Sequence, residues 1–286
     1  MRMRLSLSSA VLLTAVSAIL PVTAAESCAA EFPFELREGL IWLKVSVRES
    51  AKPLNFLLDS GANLSVINLP AARQLGLAIG QPVEVNGVGA TTTGYWPVHL
   101  RASCRSVPLP DDFLAIDLTK LSEASACPID GLLGADFFAM HVVRIDFTRH
   151  KIYVDPVGFA SAGQQSVSLR VKQGAIQVPV AVNNGASQWA RLDTGCNTAL
   201  HWVSAGTPPR EAVSHVAVAL AKTSIAVTQT SVQVGSYIFQ DVPTGLHQTE
   251  IFPGEAGLLG TGLLSRFAAV TMDVASNRML LESNRN

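Results

Sequence analysis

Two short segments carry residue types that could do chemistry together. Each places an acid, a hydroxyl residue and a glycine at the end of an apolar run: Asp59, Ser60 and Gly61 in one, and Asp193, Thr194 and Gly195 in the other. Two carboxyl groups held close together cannot both ionise easily, so one pKa rises and the pair shares a proton. One acid can then act as general base on a water molecule while the other donates a proton, and the two glycines let the backbone turn tightly beside them. The pair predicts hydrolysis by Asp59 and Asp193 that needs no metal, no other cofactor and no covalent nucleophile.

Matching strands must position the two acids. Before each acid the sequence shows alternating apolar residues, then a turn, then a second apolar strand. The alternating runs are residues 43–47 and 178–182, the turns are 49–53 and 183–185, and the final strands are 54–58 and 188–192. Both acids are therefore expected at the same point of the same local structure.

The ends of the two halves repeat as well. Leu132-Leu133-Gly134 follows the first acid, Leu258-Leu259-Gly260 follows the second, and two short strand patterns come after each. Such self-similarity indicates an internal duplication, with a linker near residues 155–165. We therefore predict an all-β protein of two similar lobes, residues 32–157 and 165–283, with few short helices, among them residues 70–75 and 135–140.

The duplicated pattern resembles the aspartic peptidases of the pepsin and retropepsin kind, over about residues 35–282. It is most similar to bacterial retropepsin-like proteins fused into one two-lobed chain. The resemblance implies two barrel-type lobes with an active-site cleft between them, catalytic Asp59 and Asp193, and a peptide or protein substrate. It also implies Ser60 and Thr194 hydroxyls that hydrogen-bond across the lobe interface and, because both acids lie in one chain, a competent monomer. The alternative, that both triplets are simple turns that Asp and Gly favour, leaves the paired Leu-Leu-Gly segments unexplained.

The residue after each triplet departs from pepsin, where Ser or Thr usually donates a hydrogen bond to the ionised acid. Ala62 and Cys196 occupy these two positions here. Losing a donor to the charged form raises the pKa of a carboxyl group. We therefore expect a pH optimum less acidic than that of pepsin.

A hairpin flap covers the cleft in this family, and residues 84–99 fit it by position because they are rich in turn residues. Pepsin-like flaps carry a tyrosine near the tip, and Tyr95 is the nearest candidate, with ordinary packing as the alternative. The second lobe has a similar stretch at residues 214–227.

The first residues have the pattern of a signal peptide, which we place at residues 1–24. Arg2 and Arg4 precede an apolar run at residues 5–20, and the small residues at 22–24 suit cleavage. An uncleaved membrane anchor is one alternative, but the run is shorter than the roughly 20 residues that a spanning helix needs. A lipoprotein anchored at Cys28 is another. We predict export to the periplasm or secretion, with no stable membrane insertion after cleavage.

Export would place the cysteines in an oxidising compartment, where they are candidates for disulfides. Cys28, Cys104, Cys127 and Cys196 allow three pairings. Cys104 and Cys127 lie in the same half of the chain, and this pair is the expected disulfide.

Composition narrows the function classes. The chain has 286 residues, 48% of them hydrophobic and 15% charged, which suits a sizeable core and excludes a disordered chain. Its net charge of −1 gives no basic footprint for nucleic acid. The leading hypothesis is an exported aspartic endopeptidase. A peptide- or protein-binding module on the same fold, with hydrolysis lost, is one alternative, and a structural envelope protein is another.

Overall fold

A computed structural model of the chain describes residues 30–87, 90–125, 127–155, 164–204, 213–218 and 221–284. The predicted signal peptide, Cys28 and most of the predicted linker lie outside the described residues. Strands dominate the described part of the chain, and its four helices are short. The predicted mostly-β architecture is therefore confirmed.

The first half of the chain supplies thirteen strands and three helices. The strands are β1 (Ala30–Pro33), β2 (Glu35–Arg37), β3 (Leu40–Val47), β4 (Leu54–Leu58), β5 (Val66–Asn68), β6 (Gln81–Gly87), β7 (Ala90–His99), β8 (Ala102–Cys104), β9 (Val107–Pro108), β10 (Asp112–Ile116), β11 (Gly131–Leu133), β12 (Val143–Asp146) and β13 (Lys151–Val154). The helices are α1 (Leu69–Gln74), α2 (Thr119–Glu123) and α3 (Ala135–Met140). The helices α1 and α3 lie where the sequence predicted them, while α2 was not expected.

The second half supplies eleven strands and one helix among the described residues. They are β14 (Gln164–Ser168), β15 (Arg170–Lys172), β16 (Ala175–Val182), β17 (Gln188–Asp193), β18 (Leu200–Val203), β19 (Val213–Val218), β20 (Ala221–Val234), β21 (Tyr237–His247), β22 (Gly257–Gly260), α4 (Thr261–Leu264), β23 (Phe267–Asp273) and β24 (Arg278–Ser283).

Three sheets organise these strands into two lobes and a shared base. The sheet of the first lobe has the order β6-β7-β10-β5-β11-β4-β3-β8-β9, with β2 beside β3. The sheet of the second lobe has the order β15-β16-β17-β22-β18-β21-β20-β19, and pairing of β16 with β20 closes it into a barrel. The third sheet, β1-β13-β12-β23-β24-β14, takes strands from both halves and joins the lobes where β12 pairs with β23.

Alternation along the strands sends side chains to two different clusters. In β4, Phe56 and Leu58 enter the main hydrophobic core, while Leu57 between them points to the opposite face of the sheet. We call the group on that face the Leu57 cluster. Its buried members are Trp42, Leu57, Val66, Leu114, Ile116, Leu118, Ile129 and Leu132.

Asp146 and Asp273 occupy matched positions in the shared sheet, and each holds a hairpin turn. Asp146 accepts the backbone N–H of Arg149 at 2.8 Å, and Asp273 accepts that of Ser276 at 3.0 Å. Each carboxylate also pairs with an arginine of its own hairpin, Arg149 or Arg278. Both aspartates are buried, and these contacts indicate that their side chains stabilise the two turns.

The predicted disulfide between Cys104 and Cys127 is wrong. Cys104 is a buried member of the main core, whereas Cys127 packs beside the Leu57 cluster on the other face of the sheet. The sheet therefore separates the two thiols, and the Cys127 sulfur instead accepts a hydrogen bond from Arg37 at 3.1 Å. Cys104, Cys127 and Cys196 are all free thiols. Among the helices of the described residues, none has the length and apolar character to cross a membrane.

Candidate active site

Asp59 follows directly after β4 and Asp193 is the last residue of β17, and a loop with a glycine comes after each acid at the boundary between the lobes. Each loop packs its glycine against the acid of the other lobe. A Cβ atom on Gly61 would lie 2.4 Å from Cγ of Asp193, and one on Gly195 would lie 2.5 Å from Cγ of Asp59. Neither glycine has a positive φ. The room that the opposite carboxyl group needs, rather than a left-handed turn, therefore requires glycine at both positions.

Ser60 and Thr194 join the two loops across the same boundary. The N–H of Ser60 donates to Oγ1 of Thr194 at 2.9 Å, and the N–H of Thr194 donates to Oγ of Ser60 at 3.1 Å. The hydroxyl groups donate onward, Ser60 to the carbonyl of Leu192 and Thr194 to that of Leu58, both at 2.8 Å. Both side chains are fully buried. Each hydroxyl group is thus satisfied by the opposite lobe, which fixes the two loops relative to each other.

Asn63 and Asn197, four residues after each acid, add a second pair of contacts between the lobes. Nδ2 of Asn63 donates to the carbonyl of Gln173, and Nδ2 of Asn197 donates to that of Glu38, each at 3.0 Å. Gln173 and Glu38 open the tight turns of the hairpins β15–β16 and β2–β3, with φ of 51° and 52°. These asparagines were not predicted from the sequence, although their identical spacing in the two halves was an available signal.

Burial raises the pKa of both acids, but their surroundings differ. Loss of solvation is the main cause that raises the pKa of Asp59. The backbone N–H groups of Ala62 and Gly61 partly offset this rise, because they donate to Oδ1 of Asp59 at 3.1 and 3.0 Å. The pKa of Asp193 is raised first by loss of solvation and then by the charge of Asp59. The side chain of Asp193 accepts the N–H of Gly195 at 3.0 Å. Two backbone donors stabilise the charged form of Asp59 and one donor stabilises that of Asp193, so Asp59 is the acid that ionises more readily.

Ala62 and Cys196 bring no hydroxyl group to the acids. Sγ of Cys196 lies 3.0 Å from Oγ1 of Thr198, and burial raises the pKa of the thiol to about 12. Cys196 is therefore a protonated packing group beside the site. The expected shift of the pH optimum stays a prediction, and the raised pKa of both acids is in its favour.

The segment predicted as a flap lies on the hairpin of β6 and β7, whose register runs from Gln81 opposite Trp96 to Gly87 opposite Ala90. Tyr95 lies well inside β7, opposite Pro82, and packs against the main core. The next residue, Trp96, packs against the Leu57 cluster, which contains the residue two positions before Asp59. Trp96 rather than Tyr95 is thus the aromatic side chain on the Leu57 side of the hairpin. Residues 88–89, between the two strands, lie outside the described residues.

Two histidines, the buried His201 and the half-buried His247, form a pair in the second lobe that the sequence did not reveal. Nδ1 of His201 lies 2.9 Å from Nε2 of His247, and the two strands that carry them, β18 and β21, run parallel. Nε2 of His201 is buried with no hydrogen-bond partner in the described part of the chain. Burial, and then the neighbouring His247, lower the pKa of His201 to about 4. Across the described residues, no three His, Cys, Asp or Glu side chains come together as metal ligands.

Two similar lobes thus each bring one Asp-Ser/Thr-Gly loop to a common boundary. The structure is similar to the crystal structure of aspartic proteinase from Irpex lacteus, with a TM-score of 0.59, over 90% of this chain and 98% of that chain. The sequence identity is 12%, so this likeness shows the fold.

The sequence comparison points the same way. Residues 43–137 match the family model described as Aspartyl protease. No curated protein sequence matches the chain. The resemblance to the aspartic peptidase family that the motifs predicted is therefore confirmed, over the first lobe by sequence and over both lobes by fold.

Proposed function

We propose that the protein is an aspartic endopeptidase that hydrolyses peptide bonds with a water molecule activated by Asp59 and Asp193. The observation that carries this proposal is the reciprocal packing of the two acids. Each carboxyl group lies against the glycine of the opposite loop, at the point where Ser60 and Thr194 tie the loops together. If each turn only connected strands of its own lobe, it would need neither a glycine that makes room for the acid of the other lobe nor a hydroxyl group that hydrogen-bonds across the boundary.

The two acids have different roles in this proposal. Asp59 is the ionised member because its Oδ1 accepts two backbone N–H groups, and it removes a proton from the attacking water. Asp193 is the protonated member and donates to the carbonyl oxygen of the scissile bond. Proton transfer by positioned side chains accelerates such reactions by about 10²–10⁴-fold.

The substrate is a peptide or protein segment bound between the lobes, beneath the hairpin of β6 and β7. Trp96, which is half-buried and packs against the Leu57 cluster, is the apolar side chain of the hairpin that we expect to contact that segment. Both acids come from one chain, so the proposal requires one molecule per active site. Export by the segment at residues 1–24, to the periplasm or the exterior, is part of the proposal and is supported by the sequence pattern.

The test is cleavage of reduced and alkylated serum albumin across about pH 3 to pH 7, with wild type, Asp59→Asn and Asp193→Asn. Each substitution removes a proton-transfer group while keeping the side-chain size, so kcat is expected to fall by about 10²–10⁴-fold. Asp273→Asn is the matched control, because it changes a buried aspartate that supports a hairpin turn away from the dyad. The control is expected to lose stability but keep kcat.

Two outcomes would contradict the proposal. If both dyad variants still cleave albumin, the paired loops have a structural role only. Well-folded wild-type protein that binds unfolded albumin but never cleaves it would favour the non-catalytic binding module.

A further inference from the structure

One position of the second motif breaks the pattern of the first. Two apolar residues precede Asp59, whereas Arg191 stands two residues before Asp193, at the position of Leu57. Its partner also differs between the lobes. Glu255 stands two residues before Gly257, and the matching residue of the first lobe is Ile129, a member of the Leu57 cluster. An apolar contact in one lobe is therefore replaced by an ion pair in the other.

Arg191 is held firmly on its own lobe. Nε and Nη2 of Arg191 donate to the two carboxylate oxygens of Glu255, each at 2.8 Å. The guanidinium carbon lies 3.7 Å from the ring centroid of Phe252. Arg191 and Glu255 are each 6% exposed. This two-pronged geometry leaves Nη1 free to point in one fixed direction.

Nη1 points to the loop of the first lobe that carries Asp59. Nη1 of Arg191 donates to the carbonyl of Gly61 at 2.7 Å and to Oδ1 of Asn63, in the same loop, at 3.3 Å. The same peptide unit carries the N–H of Ala62, which donates to Oδ1 of Asp59 at 3.1 Å. A donor on the carbonyl end of a peptide polarises its N–H end and strengthens the next hydrogen bond. Arg191 thus reaches Asp59 through one peptide group.

Stability alone does not account for this ion pair. Removing two charges from water is costly, and apolar side chains of similar volume often serve a folded core equally well or better. At the matching place in the first lobe, Leu57 and Ile129 are members of one apolar cluster, so this fold does not require an ion pair there. The ion pair of Arg191 and Glu255 is present in the second lobe only, and Arg191 contacts the loop that bears Asp59.

We propose that Arg191, oriented by Glu255 and Phe252, is a positioning residue for the dyad. It fixes the Gly61–Ala62 peptide against Asp59, and its positive charge favours the singly ionised pair of acids. The inference rests on the proposed function, because it assigns Arg191 to that same site. The ionisable groups acting on the acids are each other and Arg191, with Glu255 behind the arginine and the protonated Cys196 thiol beside Asp193.

The test compares the carboxyl titration of Asp59 and Asp193, followed by ¹³C NMR of the purified chain, in wild type, Arg191→Met and Glu255→Gln. Arg191→Met is expected to move the dyad titration upward by about one pH unit, since a nearby positive charge is lost. Glu255→Gln keeps the arginine and one side-chain oxygen that can still orient it but removes the opposing charge, and it is expected to move the titration downward. The pH–rate profile for albumin cleavage is expected to move in the same directions.

Two further variants keep the test decisive. Arg191→Lys retains the charge and is expected to move the titration less than Arg191→Met does. Arg144→Met removes another buried arginine, one that pairs with Glu282 at 2.9 Å in the shared sheet away from the dyad. It is expected to lose stability without moving the titration.

The proposal is overturned if Arg191→Met and Glu255→Gln move the titration in the same direction, as a purely structural pair would, or leave it unmoved. The titration can be measured whether or not the protein cleaves albumin. Opposite shifts in a protein that never cleaves would therefore contradict the proposed function and leave the assignment of Arg191 standing.

Discussion

At the scale of single residues, each acid of the dyad depends on groups from both lobes. The sequence identified Asp59, Asp193 and the hydroxyl residues beside them because a short motif carries them. It did not identify Arg191 and Glu255, whose contact arises only when β17 and the loop before β22 pack together. It also misplaced the disulfide, because shared membership of one half says nothing about which face of a sheet a cysteine occupies.

Thr194→Val tests the tie between the two loops. The change removes an acceptor from the N–H of Ser60 and a donor from the carbonyl of Leu58. Two buried polar groups left without partners are expected to cost about 2–4 kcal/mol of unfolding free energy. The loosened loops are expected to lower kcat by about tenfold to a hundredfold, which urea denaturation and albumin cleavage would measure.

Thr230→Val is the matched control for this change. Thr230 is also a buried threonine, and its hydroxyl lies 2.7 Å from that of Thr244, in the strands β20 and β21 of the second lobe. It is expected to lower stability and leave kcat unchanged. Equal losses of kcat in both variants would show that the tie has no special role.

The buried side chain of His201 makes stability depend on pH. The pKa of His201 is about 4 in the folded protein, below its ordinary value near 6.5. Between these values the unfolded state binds more protons, so acidification favours unfolding, by about 3 kcal/mol at most. His201→Leu is expected to flatten this loss. Urea denaturation at about pH 7 and pH 4.5 would measure it, and an unchanged slope would contradict the explanation.

At the scale of elements, alternation and turn residues were enough to predict the strands that carry the dyad. The side of a strand on which each residue falls was harder to predict, because a shift of one residue exchanges the two faces. Tyr95 illustrates this limit. It was the expected flap residue, yet it packs on the main core, while its neighbour Trp96 packs against the Leu57 cluster.

Alanine substitutions at these two neighbours test which face of the hairpin meets the substrate. Trp96→Ala is expected to lower kcat/KM by about tenfold, the effect of losing one contact worth about 1.4 kcal/mol. Tyr95→Ala removes a similar half-buried aromatic from the same strand and is expected to act mainly on stability. A larger loss of kcat/KM in Tyr95→Ala would restore Tyr95 as the flap residue.

At the scale of the whole molecule, the shared sheet holds the two lobes together independently of the linker. Strands β12 and β23 pair from Val143 opposite Met272 to Asp146 opposite Ala269. The sequence showed the duplication but not this sheet, because the paired segments lie far apart in the chain and no turn connects them. Long-range pairing of this kind leaves no local pattern to read.

Cutting the chain between the lobes tests this arrangement. A protease recognition sequence placed between Asp155 and Gln164 would allow the linker to be cleaved in the folded protein. We expect the halves to stay together during size-exclusion chromatography and to retain most of their peptidase activity. Unfolding should become dependent on protein concentration, since association is then bimolecular. Separation of the halves on cleavage would show that the shared sheet is too weak to hold them.

The contrast between Leu57 with Ile129 and Arg191 with Glu255 also bears on how such a molecule could evolve. In a two-fold homodimer every substitution appears at both symmetry-related places. A charged residue that improved one side of the site would then also be present on the other side. Once both halves lie in one gene, each can change alone. An ion pair on one side only therefore requires that the two halves be encoded separately, as they are in this chain.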